Sequence, residues 1–92
     1  MKIIRRREYL IALKVILVFI AKDSKNRALH FKNQLDAKIE DLDHFPYKFK
    51  QSKNHHDENV RDMIFKGFTI TYLVEKHKEK IYILDIYKWI DK

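Results

Sequence analysis

Cysteine is absent from the 92 residues, and glycine and proline occur once each, as Gly67 and Pro46. Without cysteine there is no disulfide, no thiolate nucleophile and no Cys-based zinc site. The absence fits a reducing compartment. So little turn chemistry argues against a many-stranded barrel and favours long regular elements. Hydrophobic runs long enough for a membrane are missing too. Leu10–Ala21 is broken only by Lys14, but it falls well short of the ~20 residues that span a bilayer. It follows Arg5-Arg6-Arg7 as a signal peptide would, yet no small-residue cleavage site follows it and the chain runs straight into Lys22-Asp23. The reading is a buried core helix and no membrane partner.

What is present is a packed core and a strong positive charge. Apolar residues make up 46% of the chain and aromatics 13%, which supports folding and excludes disorder. The length suits one domain, residues 1–92, of marginal stability. The net charge of +7 points to an acidic partner such as a nucleic acid, an anionic membrane or an acidic protein, unless it only solubilises the surface.

Hydrophobic spacing predicts the elements. Lys2 to Arg5 forms a short strand. Arg6 to Lys22 forms a first helix, with Leu10, Leu13, Leu17 and Ile20 as its main stripe and Ile11, Val15, Ile16, Val18 and Phe19 widening it. That much apolar surface needs cover on more than one side. Asp23 and Ser24 are N-cap candidates for a second helix to about Asp43. Its buried stripe is Ala28, Phe31, Leu35, Ile39 and Leu42, and the two helices form a hairpin. Pro46 stops the helix, and Tyr47 to Asn59 reads as a mobile polar connection.

Three strands follow: Asn59 to Phe65, Phe68 to Glu75 and Lys80 to Tyr87. Lys66-Gly67 makes the first turn and Lys76 to Glu79 the second. Phe68, Ile70, Tyr72 and Val74 share one face. In the last strand Ile81, Ile83, Asp85 and Tyr87 oppose Tyr82, Leu84 and Ile86, so both faces are largely apolar and the strand lies inside the sheet. The fold class is α+β, in the order β-α-α-β-β-β, with a helical hairpin on one face of a mainly antiparallel sheet.

Asp85 on an apolar strand needs a partner, since a buried carboxylate is costly alone; Arg61 or a cation of the first helix would serve. Arg61 itself is either an ion-pair residue, with Asp62 or Asp85, or a functional cation. His55-His56-Asp57 lacks a third spaced ligand and reads as a solvated loop, so no metal or other cofactor is expected. Tyr47, Phe49 and Trp89 either stack on bases or pack on the core.

The chain resembles the RelE/ParE superfamily of toxins over almost its whole length. The resemblance rests on the element order, on Phe31-Lys32-Asn33-Gln34-Leu35 with Ile39 and Leu42, on Phe45-Pro46, on the segment from Asn59 through Arg61, Gly67 and Phe68 to Tyr72, and on Ile81 to Lys88. It implies a growth-inhibiting, plasmid-stabilising toxin of the bacterial cytoplasm, held by a cognate acidic antitoxin. It also splits in two. A ParE-like toxin poisons DNA gyrase without a hydrolytic centre, and that branch is favoured here. A RelE-like toxin is a metal-independent endoribonuclease acting on mRNA in the ribosome.

For the nuclease, the resemblance nominates Arg61, Lys88, Tyr87 and Lys50 as catalytic groups. Ile64 stands where such enzymes place an arginine, and the aromatic expected beyond Lys88 is missing unless Tyr87 or Trp89 substitutes. Lys48, Lys50, Arg61, Lys66 and Lys88 are the nucleic-acid-binding candidates. Leu10, Leu13, Leu17 and Ile20 are the antitoxin-binding candidates. A basic nucleic-acid-binding domain without toxicity is the remaining class.

Overall fold

The computed structural model describes residues 1–88. Its elements are β1 (Lys2–Arg5), α1 (Arg7–Ala21), α2 (Lys25–Glu40) with a 3-10 turn at Asp41–Asp43, β2 (Val60–Phe65), β3 (Phe68–Glu75) and β4 (Lys80–Lys88). The predicted order β-α-α-β-β-β is therefore the observed one. The sheet runs β1-β4-β3-β2. Only β1–β4 is parallel; β3 pairs antiparallel with both neighbours. The last strand lies inside the sheet, as its two apolar faces required. No helix among the described residues is long and apolar enough to cross a membrane.

Capping and periodicity explain the helices. Ser24 is extended and its hydroxyl accepts the Arg27 amide at 3.1 Å, so it starts α2. Ala28, Phe31, Leu35, Ile39 and Leu42 are all buried. They meet Met63, Phe65, Ile70, Tyr72, Val74, Ile81, Ile83 and Ile86 from the sheet. Phe31 sits edge-on to Phe65 and Phe68, at 5.4 and 5.5 Å between ring centres. Asp36 on α2 ties in β1 through Arg5 at 3.5 Å, and pairs with Lys32 at 2.7 Å.

Helix α1 is rotated from its expected setting. Its buried residues are Tyr9 and Leu13, with Ala12, Ile16, Leu17 and Ile20 partly covered. Leu10 faces outward. Tyr9, four residues before Leu13, continues the buried row one turn back, and a polar hydroxyl concealed that in the sequence.

Two turns use left-handed backbone. Lys66 and Gly67 have φ of 49° and 84°, which matches the twist of the β2–β3 hairpin. Glu79 closes the β3–β4 turn at φ 51°.

The alternation expected for β4 breaks at a bulge. Tyr72 pairs with Ile83, but Thr71 pairs with Asp85, so Leu84 is the extra residue. The side-chain phase reverses there. Ile81, Ile83 and Ile86 all reach the core, while Asp85 and Tyr87 move to the face without helices. Asp85 is thus exposed and needs no buried cation. Its carboxylate accepts the Ile86 amide at 2.8 Å.

Burial pushes the phenols of Tyr9 and Tyr72 up to about 12 from an ordinary 10.0. Above pH 10 the unfolded chain releases these protons while the native chain keeps them, so the native state loses stability as pH rises. We expect the urea midpoint to hold up to pH 10 and to fall between pH 10 and 12. Tyr72→Phe should make that fall shallower.

Candidate functional site

The segment from Tyr47 to Asn59 is expected from its sequence to be a mobile connection. Instead it folds back as an added strip on the outer edge of β2. The Ser52 amide donates to the Val60 carbonyl at 2.7 Å, and the Asp62 amide to the Lys50 carbonyl at 3.0 Å. Gln51 bridges Arg61. This satisfies backbone groups that a bare edge would leave open. The hydroxyl of Tyr72 donates to the Pro46 carbonyl at 2.7 Å, and that of Tyr47 to the Asn59 side chain at 2.6 Å.

Arg61 is the clamp of this fold-back. Its Nε donates to the Glu58 carbonyl at 2.8 Å and one terminal nitrogen to the Phe49 carbonyl at 3.0 Å. Its guanidinium also lies 4.9 Å from the centre of the Tyr47 ring, and Lys76 sits 5.1 Å from that ring. Cations attract the negative face of an aromatic ring. No carboxylate pairs with Arg61 among the described residues, so the ion pair with Asp62 or Asp85 is not formed. Asp62 instead accepts the Thr71 hydroxyl at 2.7 Å. Tyr47 and Phe49 pack against the core, and Phe49 also lines the groove described next. Trp89 lies outside the described residues.

On the face away from the helices, Ile64, Thr69 and Tyr87 form a row across β2, β3 and β4. With the 48–54 strip they line a groove of about 860 Å³. The strip supplies Lys48, Lys50 and Lys53, and β4 supplies Lys88. The Tyr87 hydroxyl accepts from Asn54 at 3.4 Å. Thus Lys48, Lys50, Tyr87 and Lys88 come together, but Arg61 and Lys66 do not join them. Lys66 reaches the other way, donating to Gln34 of α2 and resting 5.6 Å from the Phe65 ring centre. Lys53 and Asn54 were not foreseen, because nothing in their local pattern signals the fold-back. His55 is held locally, its Nδ1 3.1 Å from the Ser52 hydroxyl, and no three His, Asp or Glu gather to hold a metal among the described residues.

The second candidate surface is the outer side of the helical hairpin. Leu13 is only 5% exposed and belongs to the core, and Leu17 and Ile20 are half-buried. Of the four residues nominated for the antitoxin, Leu10 is exposed, and together with Leu13 and Leu17 it lines a shallow apolar groove that Val18 and Ala28 complete. Ile11, Val15, Val18 and Phe19 are exposed as well, Val15 at 67% and Phe19 at 69%. Exposed apolar side chains gathered on one side of a helix make this face a candidate interaction surface.

Residues 3–88 match the family model of the ParE toxin of the type II toxin–antitoxin system parDE. A solved chain from the chromosomal ParDE toxin–antitoxin system of P. aeruginosa has the same fold, with a TM-score of 0.76 and 16% identity. The alignment covers 98% of this chain and 97% of that one. No curated protein sequence matches.

Proposed function

The chain belongs to the ParE toxin family of type II toxin–antitoxin systems, and from that premise we propose that it arrests bacterial growth by poisoning DNA gyrase in the cytoplasm. It has no need of a hydrolytic centre of its own for that action. An antitoxin partner follows from the family; we place its contact on the outer face of the hairpin, at Leu10, Ile11, Val15, Val18 and Phe19. An acidic antitoxin segment that folds on contact would complement the net charge of +7.

One observation favours the poison over a nuclease. Cleaving RNA without a metal needs free cations to meet the charge of the pentavalent phosphate. Arg61 holds main-chain carbonyls on the opposite side of β2 from the groove. The apolar Ile64 occupies the groove in place of an arginine. The groove's own Lys48, Lys50, Lys88 and Tyr87 support the ribonuclease alternative, and in either reading they are the groups we assign to nucleic-acid contact. Purified gyrase with supercoiled plasmid decides between the two. We expect the protein to trap cleaved, protein-linked DNA. Intact plasmid together with cut mRNA in a translation extract would replace the poison with the nuclease.

A further inference from the structure

The outer face of α1 carries a pattern that is its own complement. Going along the face, Glu8 comes first, then Ile11, Val15, Val18 and Phe19, and Lys22 follows at the end of the helix; all six are exposed. At 100° per residue they lie within about 60° of the Val15 direction. The core residues Tyr9, Leu13 and Ile20 point the opposite way.

Now let a second copy approach antiparallel, with a two-fold axis at Val15. Residues whose numbers sum to thirty then face one another. Ile11 meets Phe19, Val15 meets Val15, and the acidic Glu8 meets the basic Lys22. Arg7 and Asp23, just outside the stripe, fall into the same opposite-charge relation. Each pair of unlike residues occurs twice by symmetry and the Val15 pair once, on the axis, as an isologous interface requires. A parallel arrangement would set Glu8 against Glu8 and Lys22 against Lys22. The charges therefore select the orientation and the apolar residues supply the attraction.

We propose that this chain, without its antitoxin, pairs with a second copy through an antiparallel α1–α1 contact centred on Val15. The contact is one helix wide, at the small end of specific interfaces, so the dimer is weak and concentration-dependent. It covers Ile11, Val15, Val18 and Phe19, four of the five residues of the antitoxin contact proposed above, so the two are mutually exclusive. Antitoxin binding separates the pair by mass action.

The test uses the full chain alone, by sedimentation equilibrium over a hundredfold range of concentration. The weight-average mass should rise from 11.3 kDa toward twice that value. Val15→Asp should stay at the mass of one chain throughout. Glu8→Lys should weaken dimerisation at least about tenfold, and Glu8→Lys combined with Lys22→Glu should restore it, because the swap rebuilds the pair with signs reversed. Thermal melts of all variants establish that they fold. A wild-type mass of one chain at every concentration would overturn the proposal, and so would a dimer that ignores Val15→Asp or is not rescued by the swap. Antitoxin is absent throughout, so failure here leaves the antitoxin contact to be judged separately.

Discussion

Arg61→Ala should lower the stability of the protein by about 3 kcal/mol, since each hydrogen bond from a charged group contributes roughly 1.5–3 kcal/mol and two are lost. Those bonds run from Nε to the Glu58 carbonyl and from a terminal nitrogen to the Phe49 carbonyl. The stacking on Tyr47 goes with them. For a domain of this size the whole stability is roughly 5–10 kcal/mol, so the urea midpoint should move by a large fraction of its value. The strip on β2 should loosen first, which exchange of the Ser52 and Asp62 amides would report. Arg61→Lys should not rescue, because a single ammonium cannot reproduce the guanidinium fork or its stacking. Any toxicity lost in Arg61→Ala should then track the loss of folded protein. A variant that melts like wild type yet loses toxicity would return Arg61 to a functional role.

Phe19→Asp should weaken antitoxin binding by at least about a hundredfold and leave stability within about 0.5 kcal/mol. Phe19 is 69% exposed, so the fold does not depend on it. Burying such a side chain in a complex contributes roughly 1.5–3 kcal/mol, and each 1.4 kcal/mol is a factor of ten. A carboxylate left unpaired in that contact costs more again. Leu13→Ala should do the reverse, lowering stability by roughly 2–5 kcal/mol as a core truncation. Titration calorimetry with the cognate antitoxin, alongside thermal melts, measures both. Equal antitoxin affinity for Phe19→Asp and wild type would move the contact off this face.

Much of the architecture was legible because it rests on periodicity. The α2 stripe from Ala28 to Leu42, the turn at Lys66-Gly67 and the interior position of β4 all follow from local patterns. The setting of α1 was not legible, since nearly every position from Leu10 to Ile20 is apolar and the amphipathic signal has no clear direction. The bulge at Leu84 was hidden for a related reason. An extra apolar residue in an apolar strand leaves no mark in the sequence, yet it reverses the phase and carries Asp85 and Tyr87 to the other face.

The candidate site was half legible. Lys48, Lys50, Tyr87 and Lys88 do share a groove. Their meeting depends on the strip from Lys50 to Ser52 pairing with β2, a contact held by main-chain groups that every residue carries. Arg61 and Lys66 lie outside that groove, which the sequence could not tell because a positive charge does not declare what it binds. One is committed to carbonyls and the other to Gln34.

The most direct measurement is made in growing bacteria. The protein is induced, the cells are lysed in detergent, and gyrase is captured with any DNA covalently attached, while total mRNA is mapped for new ends. We expect gyrase–DNA adducts to rise with growth arrest, mRNA ends to stay unchanged, and both arrest and adducts to vanish when the antitoxin is co-expressed. Arrest accompanied by new mRNA ends and no adducts would contradict the gyrase mechanism.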